Sequence, residues 1–369
     1  MSYHICHIET TPIESMPRVL RAADSAYATG NHVTVIGIGP SREYHGYPYI
    51  GVRAPSSRKD RMRNISPEMI RLACQTDADI VQLHAPELLL YVNSLKRAGK
   101  KVIFDSHEFY SLQIREKDYI PKPLRNIIAS LYGAFETRAL RRIDAVVYPC
   151  TVQGRDLFAN RAKRAVKIEN YSMPVDPELL PSGPADTRAV IHAGGLTEAR
   201  GITTLAHAVS KTDAKLILCG PFSSPEYQQE ILASCPSGQI EYMGTLNRED
   251  LFRQYGRSAI GICTLHAVGQ YALLDNMSTK VYEYMQCGLP VVVSNFPCYQ
   301  YWNEKYHFGI CVDPENEDEI ADAIRYLLDH PGEARQMGEN GRRAVKEEFN
   351  WGVEEKKLLA LYEDILNEK

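Results

Sequence analysis

The stretch TKVYEYMQCGLPVVVSNFP, Thr279 to Pro297, carries a charged helix straight into an apolar strand. Met277, Ser278 and Thr279 supply N-cap chemistry for a helix that runs from Lys280 to Cys287. Gly288 closes that helix and Pro290 opens the strand VVVS. Lys280 and Glu283 lie one turn apart and share a face. A helix start with unpaired amides is a ready anion site, and Lys280 adds a positive charge beside it. Glu283 would repel a phosphate. It suits a neutral diol, such as the 2′- and 3′-hydroxyls of a ribose. A surface Lys–Glu pair on a capped helix is the plainer reading of the same residues.

The alternation of strand and helix extends outward in both directions. Towards the C-terminus come GICVDP and two long polar helices. Towards the N-terminus lie AIGICTL, IEYMG, KLILCG and AVIHAGG, separated by helix patterns from Ile202, near Pro225–Cys235 and near Arg248–Tyr255. The stretch YSMPVDPELLPSGPADT, rich in Pro, Gly, Ser and Asp, interrupts the pattern and reads as a linker. Before it the alternation repeats in YHICHIE, HVTVIGIG, DIVQLH, KVIFDSH and DAVVYPC, with the helix after YHICHIE closed at Gly30. The expected organisation is a first domain over 1–172, a linker over 173–187, a second domain over 188–350 and a terminal helix over 351–369. The fold class is α/β, with two doubly wound parallel sheets facing a central cleft. A chain of 369 residues is comfortable for two such cores.

Composition narrows the class further. Apolar residues make up 44% and charged residues 24%, as in ordinary globular proteins. Nine cysteines stand without C-x-x-C pairs or histidines at zinc spacing, which suits reduced thiols in a cytoplasmic protein. MSYHICHIETTPIES has neither a basic n-region nor an apolar h-region, so no signal peptide is expected. No apolar run approaches about 18 residues, so no spanning helix is expected. The net charge of −4 is unevenly spread: residues 1–172 hold 25 Lys+Arg against 17 Asp+Glu, and the remainder hold 17 against 29. The basic residues cluster at Arg53, Arg58, Lys59, Arg61 and Arg63, and again at Lys122, Arg125, Arg138, Arg141 and Arg142 around the apolar NIIASLYGAFE. Basic-plus-apolar surface suits a peripheral place on an anionic membrane face. No nucleic-acid module is present, so nucleic acid is not an expected partner.

Three further stretches carry candidate chemistry. In HAGGLTEARGITTL, a strand ends in Gly194 and Gly195 and a helix begins after Arg200-Gly201. Glycines there admit a ligand to the backbone, and Arg200 can hold a diphosphate bidentately. KVIFDSHEFYS places Asp105, His107 and Glu108 at the carboxyl end of a strand, the edge where such sheets bind ligands. A histidine among carboxylates can orient a hydroxyl or move a proton. DIVQLHAPELLL places His84 and Glu87 at a similar edge. Gly37 and Gly39 also follow a strand, but Arg42 stands where a dinucleotide fingerprint needs its third glycine, which argues against a nicotinamide cofactor.

Together GGLTEARGI, IEYMG, STKVYEYMQCGLPVVVS, GICVDP and FNWGVEEKKLLALYEDIL resemble the GT-B glycosyltransferases of family GT4, the group 1 retaining sugar transferases. HAPELLL and KKVIFDSHEFY resemble the HDPELL and DxHE segments of its capsule and O-antigen branch. The resemblance implies transfer of a sugar from a UDP-, GDP- or dTDP-linked donor to a hydroxyl acceptor, with retention. It implies no cofactor and no metal. The setting it suggests is bacterial surface polysaccharide or glycolipid assembly, with an acceptor that can be lipid-linked. It puts Glu283 on the donor ribose and Arg200 on the diphosphate. Ser278, Thr279 and Lys280, with Gly194 and Gly195, lie over the phosphates and sugar. His107 is near the reacting sugar and acceptor. His84, Glu87 and Glu108 fall on the acceptor side. Asp275 stands where the family has the first glutamate of its E-x7-E pair, and is with His107 a catalytic candidate. Gly195 replaces the family's first basic residue, and HIETTPIESMPR lacks its N-terminal Gly-Gly loop, leaving Thr10, Thr11 and Arg18 near that edge. These departures keep two other classes open: a nucleotide-sugar epimerase on the same fold, and a non-catalytic nucleotide-sugar-binding subunit.

Overall fold

The computed structural model describes residues 2–12, 16–117, 120–173, 175, 178 and 188–368. Most of the expected linker, 174, 176, 177 and 179–187, lies outside the described residues. The chain divides into two compact units, Met1–Asn170 with Gly352–Lys369, and Tyr171–Trp351.

The first unit is built on eight strands: β1 (His4–Pro12), β2 (His32–Ile38), β3 (Arg42–Tyr44), β4 (Tyr47–Val52), β5 (Ile80–Leu83), β6 (Lys101–Asp105), β7 (Ala145–Tyr148) and β8 (Ala165–Lys167). Their order across the sheet is β3-β4-β2-β1-β5-β6-β7-β8. All neighbours run parallel except β3 and β4, which form an antiparallel hairpin. This hairpin departs from the wholly parallel sheet expected from the sequence. Its turn places His45 and Gly46 both at positive φ, 50° and 90°, the twist that a two-residue hairpin loop requires. A His-Gly pair in REYHGYPYIGV is the signal for it.

The second unit carries β9 (Ala189–Ala193), β10 (Lys215–Cys219), β11 (Ile240–Gly244), β12 (Ile260–Cys263), β13 (Val291–Ser294) and β14 (Gly309–Val312), ordered β11-β10-β9-β12-β13-β14 and wholly parallel. Successive residues feed opposite faces, as strand geometry dictates. Val291 and Val293 pack with the helices Arg248–Gly256 and Thr279–Cys287, while Val292 packs with Ile202–Ser210 and Glu317–Asp329. In both sheets the strand order reverses beside the first strand of the unit, between β1 and β5 and between β9 and β12. Doubly wound sheets bind ligands outside the carboxyl ends of the strands at such a switch point.

Three helices brace these edges. Thr279–Cys287 ends at Gly288, φ 72°, with Leu289 N donating to Tyr284 O at 3.0 Å, a Schellman closure. The helix Pro331–Glu347 lies across it at Gly338, where any Cβ would overlap the Gly288 carbonyl oxygen. The last helix, Trp351–Asn367, belongs from Gly352 onward to the first unit. There it buries Leu358, Leu361, Tyr362 and Ile365, one face at helical spacing. Tyr362 Oη donates to Gln82 Oε1 at 2.6 Å, directly beneath the carboxyl edge of β5.

Candidate functional site

Each unit gathers polar side chains at its switch point. In the second unit, β9 runs into Gly194 (φ 117°), and the chain turns through Glu198–Arg200 and Gly201 (φ 73°) into the helix Ile202–Ser210. A Cβ at Gly194 would stand 3.1 Å from Arg200 Nη1 and 3.3 Å from Lys280 Nζ. The two cations therefore converge over a glycine that leaves its backbone open between them. Among the described residues neither makes an ion pair with a carboxylate. Lys280 is almost wholly buried, and its Nζ donates to His192 Nε2 at 3.0 Å. Burial and the Lys280 and Arg200 charges hold His192 well below its ordinary value, so the ring accepts rather than competes as a cation. Burial also pushes the Lys280 ammonium down to about 8, with Arg200 adding to the effect. An anion placed over Gly194 relieves both penalties.

The helix start adds donors. Ser278 is the N-cap by its extended backbone, yet its side chain makes no capping hydrogen bond. Thr279 is exposed and Ser278 half-buried. One turn on, the Glu283 side chain is 16% exposed, accepts from Tyr255 Oη at 2.9 Å and lies 3.8 Å from Arg248 Nη1. Tyr255 is fully buried in the helix Arg248–Gly256 and fixes the carboxylate from behind. Asp275 is half-buried in the loop between β12 and the helix, three residues before the N-cap. Gly195 lies against the guanidinium of Arg200.

In the first unit, β1, β5 and β6 are adjacent, so His7, His84, Asp105 and His107 meet at one edge. His7 Nδ1 is 3.0 Å from His84 Nε2, and His84 Nδ1 is 3.2 Å from His107 Nε2. Asp105 Oδ2 lies 3.4 Å from His84 Nδ1 and 3.9 Å from His107 Nε2. Arg18 Nε donates to both Asp105 oxygens, at 2.9 and 3.1 Å, and Gln82 Nε2 to Oδ2 at 3.3 Å. His7, His84 and Asp105 are buried, whereas the His107 side chain is 16% exposed. Burial holds His107 down at about 3, so it is a neutral ring at neutral pH. Glu87 accepts from Thr10 Oγ1 at 2.9 Å and forms an ion pair with Arg61, whose Nε lies 2.9 Å away. Glu108 is half-buried, and its carbonyl accepts from Ser106 Oγ at 2.8 Å. Arg18 is thus committed to Asp105, and residues 13–15 of the N-terminal edge lie outside the described residues.

The structure brings Gly194, Gly195, Arg200 and Lys280 into contact, with Glu283 one turn away. It brings His84 and His107 into a second group. Sequence reasoning missed His192 and Tyr255 in the second unit and His7 and Gln82 in the first. All four sit inside regular elements; for His192, His7 and Gln82 a polar residue in an apolar strand run is the sole signal, and Tyr255 in the polar helix REDLFRQYG offers none.

Two Rossmann-like α/β units with these switch-point sites define the GT-B fold, and solved structures of that class match along the whole chain. The chain superposes on a sucrose-phosphate synthase of Thermosynechococcus elongatus with a TM-score of 0.77 at 16% identity, covering 100% of both chains. It superposes on Anabaena HepE, solved with UDP and glucose, with a TM-score of 0.74 at 14% identity, covering 98% of this chain and 100% of that one. Residues 182–344, which fall in the second unit, match the family described as "Glycosyl transferases group 1". A curated relative, the MMP alpha-(1->4)-mannosyltransferase of Mycolicibacterium hassiacum, is 23% identical over 252 residues, 66% of this chain. The chain spans 59% of that relative's length in the match.

Proposed function

We propose that the protein transfers a sugar, with retention, from a nucleotide diphosphate sugar to a hydroxyl acceptor. One observation carries the reading: Arg200 and Lys280 converge over Gly194 at the switch point, with Glu283 one turn further on the same helix. In this reading the diphosphate occupies the space over Gly194, and Glu283 accepts from the ribose diol. Arg200, Lys280 and the Thr279 and Lys280 amides stabilise the leaving diphosphate as its charge develops, without a metal and without a cofactor, while the Ser278 amide is taken by Tyr299 Oη. Asp275 and His107 act on the sugar and acceptor hydroxyls; His84, Glu87 and Glu108 shape the acceptor side. HepE, solved with UDP and glucose, supports a uridine donor as the first to try.

The acceptor reading places the enzyme in bacterial surface polysaccharide or glycolipid assembly, in the cytoplasm at the membrane face. What supports it is the helix Lys122–Leu140. Leu124, Ile127, Ile128 and Leu131, at one helical face, are 46%, 56%, 38% and 67% exposed, beside an exposed Lys122. No helix of the described residues is long and apolar enough to cross a membrane.

The test is a thermal-shift series with UDP-, GDP- and dTDP-sugars, followed by turnover of the stabilising donor with and without a lipid-linked acceptor. A ligand at about 100 times its dissociation constant raises stability by about 2.7 kcal/mol. Stabilisation by none of these donors, or release of free epimerised sugar without acceptor, overturns the transferase reading.

A further inference from the structure

We propose that His84 is a positioning residue. It fixes the His107 ring with its proton on Nδ1, so that His107 donates a hydrogen bond to a hydroxyl oxygen of the sugar or acceptor and does not take the hydroxyl proton. The hydroxyl ligand rests on the transferase reading, whereas the fixed tautomer rests on the first unit alone.

The hydrogen-bond chain has one consistent direction, and Asp105 anchors it. Arg18 Nε donates to both carboxylate oxygens, at 2.9 and 3.1 Å, and Gln82 Nε2 to Oδ2 at 3.3 Å. Burial opposes ionisation of Asp105, but the Arg18 charge and the His84 hydrogen bond outweigh it and hold the carboxyl well below its ordinary value. An ionised carboxylate only accepts. His84 Nδ1, 3.4 Å from Asp105 Oδ2, therefore carries hydrogen. The same nitrogen stands 3.2 Å from His107 Nε2. Two N–H groups do not bond to each other, so His107 Nε2 is the acceptor and the proton of that ring sits on Nδ1. The reverse arrangement would set a lone pair of His84 Nδ1 against the carboxylate.

The surroundings hold this direction. His7 Nδ1 is 3.0 Å from His84 Nε2. Burial keeps His7 well below its ordinary value, so it is a neutral ring with one proton. Its buried Nε2 has no hydrogen-bond partner among the described residues. With the proton on Nδ1, His7 donates to His84 and leaves no unpaired N–H in the core. On the other side Tyr362 Oη donates to Gln82 Oε1 at 2.6 Å, which turns the Gln82 amide nitrogen towards Asp105. Burial holds His107 itself down at about 3, in agreement with an Nε2 that faces a donor. The His107 side chain is 16% exposed, and among the described residues its Nδ1 has no partner. The N–H that this chain offers to a ligand is thus His107 Nδ1–H. The ring's one lone pair already faces His84, so none is open to an acceptor proton.

The experiment reads histidine tautomers in the full-length chain, ¹⁵N-labelled at histidine, by long-range proton–nitrogen correlation at neutral pH without nucleotide. His107→Ala assigns the signal. A protonated Nδ1 and an unprotonated Nε2 are expected for His107. His84→Leu, which fills the space without the donor, should lose that single tautomer. His84→Asn, whose amide nitrogen can stand near the place of Nδ1, should restore it. With the UDP-, GDP- or dTDP-sugar that turns over, His84→Leu should lower kcat about tenfold, the loss of one oriented hydrogen bond. His84→Asn should recover most of that, and UDP affinity should stay unchanged in both. A proton on His107 Nε2 in the wild type, a tautomer that His84→Leu leaves in place, or a kcat loss that His84→Asn does not recover would each overturn the proposal. If no sugar nucleotide turns over, the transferase reading fails, while the tautomer is still decided in the empty protein.

Discussion

Burial and the neighbouring Arg200 cation push Lys280 from its ordinary 10.5 down to about 8, and the direction of that shift sets two pH effects. Between those values the unfolded chain holds a proton that the empty folded protein has released, so stability rises with pH across that window. Donor binding runs the other way. A diphosphate over Gly194 favours the charged ammonium, so affinity is full below about pH 8 and falls above it by at most about tenfold per pH unit. Calorimetric titration of UDP across that range should show the fall, and Lys280→Met should abolish it; a fall that persists in Lys280→Met would assign the proton elsewhere. At Glu283 the expected loss is of a charge-assisted bond. Glu283→Gln can still accept from Tyr255, so the fold should hold. Nucleotide affinity should drop by about 1.5–3 kcal/mol, read as the dissociation constant of the nucleoside diphosphate. Glu283, Lys280 and Arg200 were legible because one motif carries each of them. His192, Tyr255 and His7 were not, because their partners lie 88, 28 and 77 residues away in the chain.

The helix Thr279–Cys287 positions most of the proposed donor site, and its placement depends on glycines in another element. The helix Pro331–Glu347 approaches so closely that Gly338 meets the Gly288 carbonyl oxygen and Gly341 meets Met285, while Arg342 Nη2 donates to Cys287 O at 2.8 Å. Gly338→Ala therefore has to separate the two helices, because the obstacle is backbone rather than a flexible side-chain tip. A loss of about 1–3 kcal/mol in unfolding free energy is expected, together with weaker nucleotide binding as Lys280 and Glu283 shift. Gly332→Ala, in the first turn of the same helix with nothing near its Cβ, should be neutral or stabilising by up to about 1 kcal/mol. Paired urea denaturations of the two variants check this; equal behaviour would remove the packing argument. At this scale the sequence is most readable where period and punctuation agree. The helix closed by Gly288 and the strand from Val291 are such a place, and both bounds follow from a glycine, a proline and an apolar run. The β3–β4 hairpin and β8 are three to six residues long, too short for periodicity to separate them from loop.

Charge divides the molecule: residues 1–172 carry 25 basic against 17 acidic side chains, and the remainder 17 against 29. The two-unit organisation was legible because two runs of alternating signals flank a Pro- and Gly-rich break. What the charge count could not show is which basic residues are already paired. Arg53 is held by Asp60 at 2.7 Å and Arg61 by Glu87 at 2.9 Å, so that cluster is partly neutralised by its own neighbours. Apolar exposure is the stronger signal. Leu124, Ile127, Ile128 and Leu131 form one exposed face of the helix Lys122–Leu140, and Leu90 and Met62 of the same unit are 49% and 46% exposed. Such a face with basic residues around it matches a helix lying in the headgroup layer. Each basic residue near an anionic surface contributes about 1 kcal/mol, which salt screens, whereas the apolar share does not weaken with salt. The expected outcome is binding to phosphatidylserine-containing vesicles that falls with salt but does not vanish. Changing Leu124, Ile127, Ile128 and Leu131 together to Ser should abolish the salt-resistant part. Changing Arg58, Lys59 and Arg63 to Ser should lower only the salt-sensitive part. Co-sedimentation at low and high ionic strength separates the two contributions. If both variants pellet as the wild type does, the helix face is not the attachment point and the acceptor has to reach the first unit from solution. If the charge variant alone loses binding, the attachment is electrostatic and the apolar face has another occupant.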